Sequence, residues 1–361
     1  MNSKSKLIDK FKYTIKRTLR RTSDQRHRIA AEALLKSIEL EKGKLSRELK
    51  KRSREYAQDI LGSTVFAPWL NVYSAIAGKF KEGWIPDNYY GSIVVPKLKG
   101  LYGGISKAKP LSSKLLSTDR LPDIAYYVNG LFFATSEHNS TWTVLMPENV
   151  ERYLFACEER VVFKIDNSSQ GKGIYVFTRK AFDIGMIYKL GNGVFQKYIN
   201  QHDFFEEIMP NSVASIRLTS VVEDGGKVSC RTAYLRLGRS EDSHIKSSSA
   251  VKVPVDLASG QLQEKGYLVN WHSVVCHPDT HVVFGGKVIP KFNECVEYIL
   301  ETHLTKVPYC RSIGWDITVD RNEEIQLIEW NGAHNDIKFS EATQGPCFAD
   351  MGWEKLREAQ R

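Results

Sequence analysis

Three residues near the end of the chain have the chemistry to hold a divalent cation. Asp316 lies in Ile313-Gly314-Trp315-Asp316-Ile317, and Glu329 and Asn331 lie in Leu327-Ile328-Glu329-Trp330-Asn331. Each offers a hard oxygen ligand, two as carboxylates and one as an amide. The positions are spaced by thirteen and then by two. The charged stretch Asp320-Arg321-Asn322-Glu323-Glu324 between the two segments predicts a hairpin that presents all three oxygens. Mg²⁺ held by few protein oxygens normally keeps waters and substrate phosphates as its other ligands. The set therefore points to chemistry on ATP.

Two further segments suit a nucleotide. Val161-Val162-Phe163-Lys164-Ile165 reads as a strand, and Asp166 to Gly173 form a polar loop before a second strand at Ile174–Phe177. Lys164 would be a point charge for a phosphate. Ser168, Ser169, Gln170, Gly171, Lys172 and Gly173 would let the backbone approach phosphates and form an anion nest. This is not a Walker A loop, because no GKS/T ending and no helix follow. Val194-Phe195-Gln196-Lys197-Tyr198-Ile199 is an apolar strand leaving into polar residues, able to pair with a base edge through its backbone. Arg217 and Arg236, each on a predicted strand, are candidates to stabilise a transferred phosphoryl group.

The elements that must position these residues are mostly strands. Ile124–Phe133 reads as a hairpin around Asn129-Gly130. Residues 193–199, 214–222 and 227–237 read as strands, 290–303 as a helix after Pro290, and 350–361 as a short charged helix. Upstream, residues 1–22 read as a basic amphipathic helix with Leu7, Phe11, Ile15 and Leu19 every four residues. Residues 26–60 continue as charged helix, with Ile29, Ala33, Leu34, Ile38, Leu45 and Leu49 as the apolar stripe. Such a helix can lie on an anionic membrane face or pack on the protein body or a second subunit.

Composition narrows the class. The 361 residues are 42% hydrophobic and 11% aromatic, which excludes a disordered chain. The net charge is +9, yet residues 1–62 hold 18 Lys/Arg against 8 Asp/Glu, so the rest is near neutral. A uniformly basic nucleic-acid-binding body is not present, and no nucleic acid is expected as partner. No apolar run is long enough to span a membrane and no signal peptide is evident. The six cysteines show no CxxC spacing and read as reduced thiols. A cytoplasmic protein is expected, with peripheral contact at the inner membrane face through residues 1–22.

Taken together the three motifs resemble the ATP-grasp superfamily from about residue 105 to 348. The segments Gln196–His202, Ser215-Ile216-Arg217-Leu218-Thr219, Cys276-His277-Pro278, Ile289-Pro290, Ile313–Asp316 and Gln344 are similar to the sugar-transfer-associated branch. The resemblance implies an α+β fold in which two lobes hold ATP between antiparallel sheets, here with a basic helical N-terminal extension. The expected organisation is an arm at 1–62, a preceding region at 63–135, a lobe with the Gly-rich loop at 136–200 and a C-terminal lobe with the Mg²⁺ site at 201–361.

The implied activity is a carboxylate–amine ligase. ATP would phosphorylate a carboxylate, and an amine would displace the phosphate to form an amide. The resemblance places Lys164 on the ATP, Ser168 to Gly173 over the triphosphate, and Gln196, Lys197 and Ile199 around adenine. It places two Mg²⁺ on Asp316, Glu329 and Asn331. Lys114 resembles the family's earlier ATP-binding lysine, and Asp203 a residue on the ribose. An amino acid joined to a uronic-acid sugar of a surface polysaccharide is the implied substrate pair, and a homodimer stays open. After Arg236-Leu237-Gly238 the chain departs from the branch, with Ser240–Ser249 in place of a Gly-rich stretch. That leaves the acceptor side, Lys246 and His334 included, unassigned.

Two other readings stand beside this one. Lys164-Ile165-Asp166-Asn167 resembles the Lys-x-Asp-Gly motif of covalent nucleotidyltransferases, with Asn167 in place of the glycine. An ATP-binding protein without catalysis is the other.

Overall fold

The computed structural model describes residues 3–135, 141–168 and 171–360. They fall into two compact units, each discontinuous in sequence. One comprises Met1–Lys97, Asn270–His272 and Asp336–Arg361, and the other Leu98–Val269 and Ser273–Asn335.

The first unit is helical. α1 (Ser3–Lys42) runs unbroken through residues 23–25, and the helix expected over 26–60 is interrupted at 43–46, where Ser46 caps α2 (Arg47–Asp59) by accepting from Leu49 N at 3.2 Å. α3 (Ala67–Ala77) buries Trp69, Leu70, Val72, Tyr73 and Ile76. The buried stripe of α1 keeps the expected Ile38 but not Ile29 or Ala33. Ala31 and Ile38 are buried, whereas Ile29 is 57% exposed and Ala33 is exposed. Seven-residue spacing from Ala31 to Ile38, two helical turns, selects a face that leaves Ile29 to one side. The side chains of Leu7, Phe11, Ile15 and Leu19 lie outside the described residues. The C-terminal segment is 3-10 rather than α-helical, at Ala349–Met351 and Trp353–Gln360, with Trp353 stacked on Phe348 at 4.6 Å. No helix among the described residues is long and apolar enough to cross a membrane.

The second unit is α+β and holds two antiparallel sheets. The first is built from β1 (Asp123–Val128), β2 (Leu131–Thr135), β3 (Trp142–Leu145), β4 (Arg160–Ile165), β5 (Ile174–Thr178) and β6 (Gly193–Lys197). Their spatial order is β3-β2-β1-β6-β4-β5. Asn129-Gly130 closes β1 on β2, as the sequence predicts. The second sheet holds β7 (Ser215–Val222), β8 (Val228–Leu237), β9 (Val251–Pro254), β10 (Gly266–Tyr267), β11 (Ser273–Val274), β12 (Ser312–Val319) and β13 (Ile325–Asn331). Its order is β11-β10-β9-β8-β7-β12-β13.

Apolar residues of β7, β8, β9, β12 and β13 form one core with the helix Phe292–Lys306, which starts two residues past Pro290. β7 and β12 are buried along their whole length, so charged residues on them must be paired. Both Arg217 and Asp316 lie on these strands.

Candidate active site

Strand register gathers the site. β12 and β13 form the expected hairpin, with Asp316 opposite Glu329 and Gly314 opposite Asn331. On the other side of β12, Asp316 faces Arg217 of β7. Side chains two apart on a strand share a face, so Glu329, Asn331, Asp316 and Arg217 point the same way. Arg236, on the neighbouring β8, reaches the same carboxylate.

Arg217 grips Asp316 in a two-bond fork, Nε to Oδ1 and Nη2 to Oδ2, both at 2.7 Å. Arg236 Nη1 adds a contact to Oδ1 at 3.2 Å, and Asn331 Nδ2 donates to Oδ2 at 3.3 Å. Burial alone would raise the Asp316 pKa, but the two guanidinium groups outweigh it and hold the carboxyl at about 2. Asp316 is thus an ionised carboxylate at neutral pH.

The first sheet contributes lysines. Lys164, near the end of β4, is 7% exposed and donates to the Ile328 carbonyl oxygen at 3.1 Å, next to Glu329. Burial lowers its pKa to about 8, with Glu329 opposing that shift and Lys109 adding to it. Lys109 is 7% exposed, and its Nζ lies 3.1 Å from Glu329 Oε1 and 3.4 Å from the Ser168 carbonyl oxygen. The segment around Lys109 also holds the polar loop in place. Lys109 N donates to Asp166 Oδ1 at 3.1 Å and Asn167 N to the Lys107 carbonyl at 3.2 Å.

A cavity lies between the sheets, lined by Lys109, Asp123, Lys164, Gln196, Glu329 and Trp330 among others. Its volume of about 20 Å³ is enough to hold a water. Gln196 Nε2 donates to Asp123 Oδ1 at 2.7 Å, and Tyr126 OH donates to Oδ2 at 3.1 Å. Burial lifts the Asp123 carboxyl to about 6 against these hydrogen bonds and the nearby Lys164.

Ser168 Oγ donates to the Ile165 carbonyl at 2.6 Å. Gly171 has φ +77°, and a Cβ there would meet the Ile245 carbonyl oxygen at 2.5 Å, so only glycine fits. Lys172 is exposed, Gly173 is half-buried, and Ser169 and Gln170 lie outside the described residues. Lys197 is exposed beside Glu158 at 4.0 Å, and Ile199 is half-buried just past β6. Two residues stand apart from the cluster. Lys114 is exposed with its Nζ over the Trp142 ring at 4.5 Å, and Asp203, 83% exposed, pairs with Arg321 at 3.4 Å. Lys246 pairs with Asp242 at 3.0 Å, and His334 is exposed.

Sequence reasoning missed Lys109, Asp123 and His244. Gly103, Ser106 and Lys109 recur every three residues in a segment with 3-10 turns at Tyr102–Lys107 and Lys109–Leu111. That spacing puts them on one side and was the available signal. His244 Nε2 pairs with the Gly171 carbonyl at 2.8 Å, across 73 residues, and nothing local announces it.

By type, Asp316, Glu329 and Asn331 are hard donors of the class Mg²⁺ accepts; here Asp316 is paired with Arg217 and Arg236, Glu329 with Lys109, and Asn331 turns its Nδ2 to Asp316. Among the described residues no group of three or more His, Cys, Asp or Glu side chains could hold a metal ion. Two carboxylates and an amide are the kind of incomplete set that Mg²⁺ completes with phosphates and water.

Residues 189–350, which span β6 to β13, match the family model described as sugar-transfer associated ATP-grasp. The chain carries a sugar-transfer associated ATP-grasp domain. ATP-grasp proteins form a ligase family that uses ATP with Mg²⁺. Solved structures similar to the chain include a biotin carboxylase from Campylobacter jejuni with a β,γ-ATP ligand. It is 13% identical over 92% of this chain and 69% of its own, at TM-score 0.41. ATP-grasp ligase PsnB with a minimal precursor is 12% identical over 72% and 63%, at TM-score 0.39. N5-carboxyaminoimidazole synthetase from Staphylococcus aureus with ADP is 13% identical over 69% and 54%, at TM-score 0.40. The chain thus spans less than two thirds of the length of the last two. At these values the similarities carry no weight on function, and the ATP-grasp assignment rests on the family match. No curated protein matches the chain.

Proposed function

We propose that this ATP-grasp domain joins a carboxylate to an amine at the expense of ATP, through an acylphosphate, with release of ADP and phosphate. One observation carries the reading. Arg217, Arg236, Lys109 and Lys164 gather around Asp316, Glu329 and Asp123, four cations and three carboxylates, in a largely buried cluster between two sheets. An excess of positive charge out of water calls for an anionic ligand.

In this reading Lys109 and Lys164 meet the phosphates, and Ser168 to Gly173 lie over them. Asp316, Glu329 and Asn331 would hold two Mg²⁺, which when bound neutralise phosphate charge and align the oxygens of the transfer. Arg217 and Arg236, anchored on Asp316, are placed to stabilise charge on the transferred phosphoryl group or on the acylphosphate. Gln196, Lys197 and Ile199 line the base, with Gln196 turned by Asp123. In this reading Lys109 takes the part that the family resemblance implied for Lys114.

The family description associates the domain with sugar transfer, and the substrate pair we favour is an amino acid and a uronic-acid sugar of a surface polysaccharide. A screen of ADP release from ATP tests it, with amino acids against uronic acids, free and nucleotide-linked. Release only with phosphate-free small acids, and none with any sugar acid, would overturn the substrate pair. Lipid-linked sugars are handled at the inner membrane face, which gives the basic segment 1–22 a role in peripheral attachment. Co-sedimentation with anionic vesicles should weaken on its deletion; equal binding without it would remove that role.

A further inference from the structure

The segment that supplies Lys109 contains a second buried lysine. Lys99 is 2% exposed, and its Nζ donates to the Ala333 carbonyl oxygen at 2.8 Å and to Asn335 Oδ1 at 3.1 Å. Asn335 is 1% exposed and has further bonds. Its backbone carbonyl accepts from Arg217 Nη1 at 3.2 Å, and its Nδ2 donates to Ser312 Oγ at 3.4 Å. Arg217 in turn grips Asp316, and Asp316 accepts from Asn331, four residues before Asn335. The chain of contacts Lys99, Asn335, Arg217, Asp316, Asn331 closes on itself through the backbone of residues 331–335.

Between its two lysines the segment lies tight against the same stretch. Ser106 Oγ accepts from Gly332 N at 3.0 Å, and a Cβ on Gly332 would come within 2.9 Å of the Gly103 carbonyl oxygen. Lys109 and Lys99 thus hold the two ends of Glu329–Asn335. A buried ammonium is costly to desolvate, and burial pushes Lys99 down to about 7. An apolar side chain would fill the volume at less cost, so the donor group itself has a task.

We infer that Lys99 is a positioning residue: through Asn335 it sets the Arg217 guanidinium and the Asn331 side chain relative to Asp316, without touching the ligand. The inference rests on the proposed reading of Asp316, Glu329 and Asn331 as Mg²⁺ ligands. Mn²⁺ serves as a spectroscopic probe, titrated by electron paramagnetic resonance into the full-length protein with saturating ADP. ADP affinity without metal and thermal stability are measured on the same samples. Lys99→Met removes the donor and keeps the length. It should weaken Mn²⁺ about tenfold, the worth of a hydrogen bond from a charged group, while metal-free ADP affinity stays near wild type. Asn335→Ala keeps the carbonyl that Arg217 uses and should weaken Mn²⁺ in the same direction by less; if Lys99→Met does not fold, this variant decides. A folded variant with wild-type Mn²⁺ affinity, or one losing Mn²⁺ and ADP alike, would overturn the positioning role. A wild-type protein that binds no Mn²⁺ with ADP would instead overturn the metal reading beneath it.

Discussion

Lys109 Nζ sits 3.1 Å from Glu329 Oε1 and joins the segment before the first sheet to the last strand of the second. In the proposed reading this lysine leaves its carboxylate for a phosphate when ATP enters. Lys109→Met should therefore weaken ATP binding about tenfold or more, while Lys114→Met leaves it unchanged. Fluorescence titration with an ATP analogue separates the two variants, and equal effects would remove Lys109 from the site.

Asp316 neutralises two arginines. Asp316→Asn leaves Arg217 and Arg236 buried with less than their compensating charge and should cost about 3–5 kcal/mol of stability. Urea unfolding measures this, and a loss below about 1 kcal/mol would show that the arginines find other partners. Substitution of both arginines by leucine together with Asp316→Leu should recover part of that stability while leaving no turnover.

Two buried carboxyls respond to acid in opposite directions. Asp316 is held at about 2 in the fold against 3.8 for the free side chain, so its contribution is complete above pH 4 and lost as pH falls toward 2. Asp123 is raised to about 6 from 3.8, so the fold prefers it protonated. Its contribution is present below pH 4 and lost as pH rises through 6. Asp123→Asn should flatten the fall in stability between pH 4 and 6, followed by thermal melting, and Asp316→Asn the fall below pH 4. An unchanged pH 4–6 slope in Asp123→Asn would assign it to another group.

Gly103 has no room for a side chain, since a Cβ would collide with the Gly332 carbonyl. Backbone blocks it, so the neighbour gives little. Gly103→Ala should destabilise by about 1–3 kcal/mol and lower Mn²⁺ affinity, because residues 329–335 must shift. The exposed Gly104→Ala serves as the control, with open space at its Cβ. Matching melting temperatures for the two variants would contradict the tight packing.

Much of the site could be read from residue types and spacing. The 312–331 hairpin announced itself by two apolar segments around a charged turn, and period-two geometry then placed Asp316, Glu329 and Asn331 on one face. Lys164 was legible as a strand-end lysine before a polar loop. The choice among Lys107, Lys109 and Lys114 was not, because all three lie within eight residues and only packing against Glu329 buries one of them. The Asp123–Gln196 pair depends on β1 lying beside β6, a contact 73 residues apart in sequence. Ile38 lies on the buried stripe of α1 as the helical period predicts, whereas Ile29 and Ala33 are exposed and Ala31 is buried, because the period fits more than one register and tertiary packing chooses between them.

The central claim is an ADP-forming ligation on the Asp316–Glu329–Asn331 face. The direct measurement is product analysis of labelled ATP turned over with Mg²⁺, a carboxylate and an amine, by wild type and by folded Glu329→Ala. The wild-type protein should yield ADP and phosphate in equal amounts together with an amide of the added acid, and Glu329→Ala should yield neither. AMP with pyrophosphate, a stable AMP adduct on Lys164, or undiminished ADP release by Glu329→Ala would contradict it.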